Sequence, residues 1–295
     1  MALPISIDTF SRFGRLSFVA RRPARAGLGG EHRSRRRAPS TDFVEYRPYA
    51  SGDDFRRIDW NVYGRLGSLQ VKATEGREQL HIVLVLDCSS SMSCGTIKPD
   101  KLEFAAQLVA ALSYIGMARA DSVRIACLTD TPVSSGFGPF GRRARLPQLA
   151  SDLSRIVPAG LVDLNAGLAG CLDGSPAQPL VIVVSDLLAL PGIARGLDAL
   201  QALRADIVVL HVLSPEELDP RLAGELELVD AETNEVLEIG VSLDTLAAYR
   251  ARFTTWLADR EAESHQRGIR YARVRTDRPL ASVVLDDLRR AAVLR

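Results

Sequence analysis

The stretch from Leu80 to Leu86 constrains the fold most, because it is a nearly continuous apolar run rich in valine and leucine. A run of this length and composition is typical of a strand buried on both faces of a parallel sheet. It stops at Asp87, and Ser89 and Ser91 follow at alternate positions. Loops at the carboxyl ends of such strands carry the ligand sites of open α/β sheets. One carboxylate and two hydroxyls suit a hard cation such as Mg²⁺, so the sequence predicts a metal-binding loop here.

A second apolar run, Leu180 to Val184, ends in Ser185 and Asp186 and repeats the same arrangement. Helical and strand patterns alternate around these two runs, which predicts an α/β fold with a doubly wound, mostly parallel, Rossmann-like sheet. Asp87 and Asp186 are then expected at the same edge of the sheet. The predicted helices are 101–120, 146–156, a short one ending near 172, 193–203, 243–266 and 280–294; the other predicted strands are 123–128, 206–213 and 269–274, with a turn at 132–141 and an inserted hairpin near 224–240.

The sequence of residues 42–79 predicts a small β element that precedes the main strand in the chain. Short β-forming pieces at 43–47, 58–63 and 69–72 are separated there by turn signals. The element is rich in charged and aromatic side chains, and six of them form a candidate partner-binding set: Arg47, Asp53, Arg56, Arg57, Trp60 and Arg65. The alternative is a hairpin cross-linked by Arg–Asp pairs, in which these side chains only hold the element together.

The sequence of residues 1–41 predicts a basic N-terminal helix followed by a linker. The first 20 residues have the amphipathic spacing of a short helix, and nine arginines against one acidic residue lie between Arg12 and Arg37. Such a run is either a solvated linker or a contact surface for acidic partners. No aromatic residue interleaves the arginines of 33–37, which argues against binding of nucleic acid.

Composition excludes several classes of protein. The chain has 295 residues, 46% of them hydrophobic, and a formal net charge of +1, so it can form a large core and carries no overall field that favours nucleic acid or membrane surfaces. Its four cysteines show neither zinc-site spacing nor a disulfide framework. No apolar run is long enough to span a membrane, and the N-terminus has no signal-peptide core. We expect a cytoplasmic protein with no membrane span, organised as 1–41, 42–79 and 80–295.

The strand-and-loop pattern of residues 80–295 resembles the von Willebrand factor type A domain, in which such loops form a metal-ion-dependent adhesion site (MIDAS). The resemblance implies that Asp87, Ser89, Ser91 and Asp186 are ligands of Mg²⁺ or Mn²⁺. Further motifs lie upstream: Gly30-Glu31-His32-Arg33-Ser34-Arg35, Tyr46-Arg47-Pro48-Tyr49, Gly52-Asp53-Asp54 and Arg56-Arg57-Ile58-Asp59-Trp60. Together with the type A pattern they resemble domain-of-unknown-function family 58, a bacterial family that joins such an upstream element to a type A domain.

One position departs from the type A pattern. That family supplies a threonine from its second loop, and the matching run here is Gly160-Leu161-Val162-Asp163-Leu164. Val162 replaces the expected threonine and has no oxygen to offer, while Asp163 is an additional candidate ligand, directly or through water. We therefore expect weaker metal binding than at a complete site. A purely structural alternative is that the serines cap the following backbone and Asp87 accepts backbone N–H bonds.

The resemblance implies a binding function, because a metal with an incomplete protein shell can accept a carboxylate from a partner. Family 58 proteins occur beside MoxR-type AAA+ ATPases, which implies a non-enzymatic adaptor or chaperone-like partner of such an ATPase. A third hypothesis is a protein that its arginines hold at a membrane surface. This hypothesis has less support, because such an anchor would be weak.

The rival hypothesis is a Mg²⁺-dependent hydrolase, a phosphatase or nuclease, that uses Asp87 and Asp186. Against it, no glycine-rich phosphate cradle accompanies the two aspartates, and none of the four histidines is placed as a base. Cys88 stands between two of the proposed ligands, which favours a small space-filling residue over a nucleophile.

Overall fold

The computed structural model describes residues 7–20, 43–50, 55, 58–74, 79–95, 97–130, 135–158, 160–175, 178–189 and 192–295. The chain divides into two compact units: the described residues of 1–23 together with 80–295, and those of 24–79. Three of the candidate partner-binding residues, Asp53, Arg56 and Arg57, lie outside the described residues. The arginine-rich segment from 21 to 42 lies outside them as well.

The helices in chain order are α1 (Ile7–Phe13), α2 (Trp60–Leu66), α3 (Lys101–Ala118), α4 (Leu146–Ser154), α5 (Leu164–Gly170), α6 (Ala194–Ala202), α7 (Pro215–Leu218), α8 (Leu243–Gln266), α9 (Leu280–Ser282) and α10 (Leu288–Arg290). The strands are β1 (Phe43–Pro48), β2 (Gln70–Thr74), β3 (His81–Asp87), β4 (Ser122–Leu128), β5 (Ser135–Phe140), β6 (Leu180–Ser185), β7 (Asp206–Leu213), β8 (Gly224–Val229), β9 (Val236–Val241) and β10 (Arg270–Arg275).

A six-stranded sheet with the order β10-β7-β6-β3-β4-β5 forms the centre of the larger unit. The first five strands in this order run parallel, and β5 pairs with β4 in the antiparallel direction at the edge. The predicted α/β fold with a mostly parallel central sheet is therefore confirmed. β3 and β6 are neighbours in the middle, so Asp87 and Asp186 leave the sheet at adjacent carboxyl ends.

Core residues lie on both faces of this sheet. Along β3, Ile82, Leu84 and Leu86 belong to one buried cluster, which also contains the apolar residues of α3. Val83 and Val85 belong to a second cluster, which contains residues of α5 and α6. Successive side chains of a strand point to opposite faces, so a continuous apolar run is what a strand between two layers of helices requires.

Residues 7–20 belong to the larger unit and pack on its core. Phe10 and Phe13 of α1 belong to the buried cluster that includes α3, and the ring of Phe10 lies 5.0 Å from that of Tyr114. Phe18 then forms an isolated antiparallel bridge with Leu294, close to the end of the chain. The amphipathic spacing of residues 7–20 reflects this packing against the main core.

The smaller unit pairs β1 with β2 in the antiparallel direction. The predicted strand at 58–63 is wrong, because α2 occupies residues 60–66. Asp59 caps the amino end of this helix and accepts N–H bonds from Asn61 and Val62. Gly67 ends it in the left-handed conformation with φ of 65°.

Two further sequence expectations differ from the structure. The region expected to be a turn at 132–141 contains β5, whose pairing with β4 satisfies an edge of the sheet. The last helix does not continue to Leu294: α9 and α10 are joined by a π-helical turn, Val283–Asp287, and end at Arg290. Leu294 pairs instead with Phe18. Within the described part of the chain, none of the helices combines the length and apolar character needed to cross a membrane.

Candidate functional site

Asp87, at the carboxyl end of β3, is buried and accepts hydrogen bonds from Ser185 and Ser89. The Ser185 hydroxyl donates to its Oδ2 at 2.5 Å, and the backbone N–H of Ser89 donates to its Oδ1 at 2.9 Å. Burial raises the pKa of the Asp87 carboxyl to about 6, and the charge of Asp186 contributes to this rise. The structure thus brings the two predicted aspartates into electrostatic contact at one edge of the sheet.

The serines that follow Asp87 lie together. The Oγ atoms of Ser89 and Ser91 are 3.0 Å apart, at the start of a short 3₁₀ turn, Ser90–Ser93. Ser89 precedes this turn but its side chain makes no capping hydrogen bond. The buried Met92 fixes the turn in the core. Two hydroxyls and the buried carboxylate of Asp87 therefore form one cluster of hard oxygen donors.

Cys88, within the same loop, is fully buried. Its hydrogen bond with Cys127 and its burial both raise the pKa of the thiol. A thiol that stays protonated is a poor nucleophile, so the buried position fits the space-filling role expected from the sequence.

Lys101, which the sequence did not single out, is the cation of this site. It is the first residue of α3, only 1% exposed, and its Nζ donates to Asp186 Oδ2 at 2.7 Å and also to Glu217 Oε1. Although burial alone would lower the pKa of Lys101, the carboxylates of Asp186 and Glu217 raise it. Glu217 closes a capping box with Ser214 at the start of α7. The lysine therefore links the ends of β6 and β7.

A sequence signal for Lys101 existed. The chain has only three lysines, and this one directly follows the N-cap residue Asp100, whose Oδ1 accepts the Glu103 N–H at 2.8 Å. A cation in the first turn of a helix opposes the helix dipole, so it indicates a compensating anion nearby. The sequence could not identify that anion, because Asp186 and Glu217 lie 85 and 116 residues away.

The turn between β8 and β9 brings a further carboxylate to the site. Burial raises the pKa of Glu232, and a hydrogen bond from the side chain of Ser91 opposes this rise. The Asp186 charge also raises the pKa of Glu232. Its Oε1 is buried and has no hydrogen-bond partner among the described residues. No feature of the acidic hairpin sequence distinguishes Glu232 from its neighbours, so the sequence did not indicate this contact.

The second loop approaches the site through its backbone. The Gly160 carbonyl accepts the Ser90 N–H at 3.2 Å. Val162 is buried in the core cluster on the α5 face. Asp163 has an exposed side chain and caps α5, where its Oδ1 accepts N–H bonds from Asn165 and Ala166. The carboxylate of Asp163 therefore already has a structural role.

His211 lies in β7 and is a core residue. Its Nδ1 lies 2.6 Å from the hydroxyl of Tyr271, and burial lowers the pKa of its imidazole to about 4. The ring is therefore neutral at physiological pH.

The smaller unit keeps part of the candidate partner-binding set at its surface. Trp60 is 62% exposed and packs edge-on against Tyr63, with ring centroids 6.2 Å apart. Arg65 is exposed in the last turn of α2. Arg47 belongs to β1, but its side chain is outside the described part of the structure. The exposed face of α2 is what remains available for contact.

Comparison with known proteins identifies a family that this chain matches. A family model described as "Protein of unknown function DUF58" matches residues 45–263. The uncharacterized proteins Rv1480 of Mycobacterium tuberculosis and Mb1516 of Mycobacterium bovis are each 26% identical to this chain over 224 residues, which are 72% of this chain and 68% of theirs.

Two solved structures are similar at lower identity. The conserved hypothetical protein BatB from Bacteroides thetaiotaomicron is 16% identical, with a TM-score of 0.42. An aerotolerance-related membrane protein from Bacteroides fragilis is 18% identical, with a TM-score of 0.44. Each match covers 72% of this chain and 98% of the other.

Proposed function

The chain belongs to the DUF58 family of proteins of unknown function, and from that premise we propose that it is a non-enzymatic protein-interaction module that binds carboxylates of partner proteins at the carboxyl end of β3. The observation that carries the proposal is the oxygen cluster of Asp87, Ser89 and Ser91, next to Asp186. It lies where open α/β sheets bind ligands. The finer proposal is a von Willebrand factor A-like domain with a MIDAS-like site.

The donor chemistry fits Mg²⁺ or Mn²⁺. Among the described residues no three histidine, cysteine or acidic side chains form a metal cluster, so the serine hydroxyls would have to complete the ligand set with Asp87. Hard cations accept such a set of oxygen ligands. When bound, the cation would supply the positive charge that attracts a partner's carboxylate. Asp186, which Lys101 already neutralises in part, would add negative charge beside it.

The proposed partner is a MoxR-type AAA+ ATPase, for which the chain would act as an adaptor or chaperone-like component. The support is the family resemblance, and the exposed Trp60 and Arg65 of α2 offer a second contact surface. The proposed setting is the cytoplasm. All four cysteines are free thiols, which suits a reducing compartment.

Calorimetric titration with MnCl₂ tests the metal site. We expect the wild type to bind one Mn²⁺ and the variants Asp87→Asn and Ser91→Ala to bind it at least about tenfold more weakly, since each loses a ligand. Ser93→Ala is the matched control, because Ser93 lies in the same turn but its hydroxyl donates to the Ser90 carbonyl. Equal titrations of all four proteins, or no heat from any of them, would remove the metal from the proposal.

A pull-down tests the partner. The full chain, immobilised, should retain a purified MoxR-type ATPase from the same genome in MgCl₂ and release it in EDTA. Asp87→Asn should retain less than the wild type, and Ser93→Ala as much. No association under either condition would contradict the adaptor role.

A further inference from the structure

The hairpin of β8 and β9 carries six acidic residues and no basic residue between Gly224 and Ser242. Its two strands pair in continuous register from Gly224–Val241 to Val229–Val236. Most of its side chains are exposed, as expected for a charged two-stranded arm. Glu232 is the exception among these acids, because one of its carboxylate oxygens is buried.

The turn itself holds Glu232 in place. Asp230 Oδ1 accepts the backbone N–H groups of Glu232 and Thr233, each at 2.8 Å. The Asp230 N–H donates to the Glu235 carbonyl at 2.8 Å, and Asn234 closes the turn at a φ of 58°. The backbone on both sides of Glu232 is therefore fixed by hydrogen bonds.

The side chain of Glu232 reaches the serine loop, Ser89–Ser93. The carboxylate of Glu232 interacts with the hydroxyl of Ser91 and, electrostatically, with Asp186 and Lys101. A buried carboxylate oxygen without a hydrogen-bond partner is costly, and the charges of Asp186 and Asp230 increase that cost. Lys101 opposes that cost, and a cation held next to Ser91 would offset it further. Glu232 is thus a carboxylate that lies where the proposed site would bind the carboxylate of a partner.

We propose that Glu232 is an internal ligand of this site, so that the turn 230–235 covers the serine loop with the chain's own carboxylate and a partner carboxylate must displace it. This inference rests on the proposed function, since it concerns what occupies that site. A tethered ligand acts at an effective concentration of about millimolar, which is enough to exclude weak ligands while a multivalent partner still competes. The hairpin therefore sets a threshold for partner binding.

The test compares the wild type with Glu232→Ala and the matched control Glu235→Ala. Glu235 lies in the same turn, carries the same charge and has an exposed side chain. The first measurement is binding of the capped peptide acetyl-Gly-Glu-Gly-amide in saturating MnCl₂, with acetyl-Gly-Gln-Gly-amide as the uncharged probe. The second is amide hydrogen exchange of Ser89–Ser93 in EDTA, which needs no metal.

Glu232→Ala should bind the glutamate peptide about tenfold more tightly than the wild type, because the internal competitor is gone. Its serine loop should also exchange about tenfold faster, while Glu235→Ala matches the wild type in both measurements. Equal peptide affinity and equal exchange in all three proteins would overturn the internal ligand alone. Faster exchange in Glu232→Ala with no binding of Mn²⁺ or peptide by any of the proteins would overturn the proposed function, and with it the competition.

Discussion

A buried lysine and a buried aspartate determine the electrostatics at the carboxyl end of the sheet. Lys101 is shared between Asp186 and Glu217, whereas Asp87 depends on the Ser185 hydroxyl and the Ser89 N–H. The aspartate could be predicted from the sequence, because it ends an unmistakable apolar run. The ion pairs of Lys101 could not, because they form only when residues about a hundred positions apart meet in the fold.

The Lys101→Met substitution should destabilise the protein by about 3–5 kcal/mol, because it leaves two carboxylates facing each other without their cation. The matched control is Lys98→Met. Lys98 pairs with Asp100 at 2.5 Å, but its side chain is 67% exposed, so its loss should cost much less than the loss of Lys101, because water screens an exposed ion pair. Urea unfolding of the two variants measures the difference. Similar losses would mean that the buried pair contributes no more than a surface pair.

The stability of the metal-free protein should depend on pH through Asp87. Its pKa is raised from 3.8 to about 6 in the folded state, so the folded protein holds a proton that the unfolded chain releases. Its contribution is fully favourable only below the unfolded pKa, and stability is lost as the pH rises through the folded pKa.

Relative to Asp87→Asn, the wild type should lose about 2 kcal/mol of unfolding free energy between pH 4 and pH 6. The comparison matters because His211 has the opposite dependence: its pKa of about 4 lies below the ordinary 6.5, so its contribution grows with pH over the same range. Urea unfolding in EDTA at several pH values gives both curves. Parallel curves for the wild type and Asp87→Asn would contradict the raised pKa.

At the scale of elements, the sequence predicted the strands and helices that its hydrophobic pattern specifies. It missed the elements that depend on a helix cap or on the edge of a sheet. β3, β6 and α8 follow from long periodic or continuous apolar runs. The strand expected at 58–63 is a helix because the alternating Ile58, Trp60 and Val62 concealed the cap at Asp59 and the stop at Gly67. β5 was missed because its Ser-Gly-Phe-Gly-Pro-Phe sequence carries turn residues, which an edge strand tolerates.

The space around two helical glycines predicts opposite effects on stability when each is replaced by alanine. A Cβ at Gly116 would lie 2.6 Å from Val123 Cγ2 and 3.1 Å from Ile82 Cδ1, whereas one at Gly170 in α5 would meet nothing within 4 Å. Gly170→Ala should therefore stabilise by about 0.5–1 kcal/mol through helix propensity. Gly116→Ala should destabilise by about 1–3 kcal/mol, since overpacking outweighs that gain. Thermal unfolding of both variants decides the sign, and stabilisation by Gly116→Ala would show that the helix can move off the sheet.

At the scale of the whole molecule, the two ends of the described chain are joined. Ser17 and Arg295 exchange two backbone hydrogen bonds of 3.0 Å, and the Val19 N–H donates to the Val293 carbonyl at 3.0 Å. Phe18 and Leu294 are both buried at this junction. The sequence contained the apolar residues but not their partner, because pairing between positions almost 280 apart leaves no local pattern.

This junction predicts a non-additive pair of changes. Phe18→Ala should cost about 3–5 kcal/mol through the cavity it leaves, and removal of residues 293–295 should cost a similar amount because Leu294 and its backbone bonds are lost. Combined, the two should cost at least about 1 kcal/mol less than their sum, since either change alone already breaks the contact. Leu168→Ala is the control, because Leu168 is buried in the cluster on the other face of the sheet, and its effect should add to that of the truncation. Unfolding free energies from urea titrations of the single and double variants measure the coupling. Full additivity for Phe18→Ala would mean that the two ends contribute to stability independently.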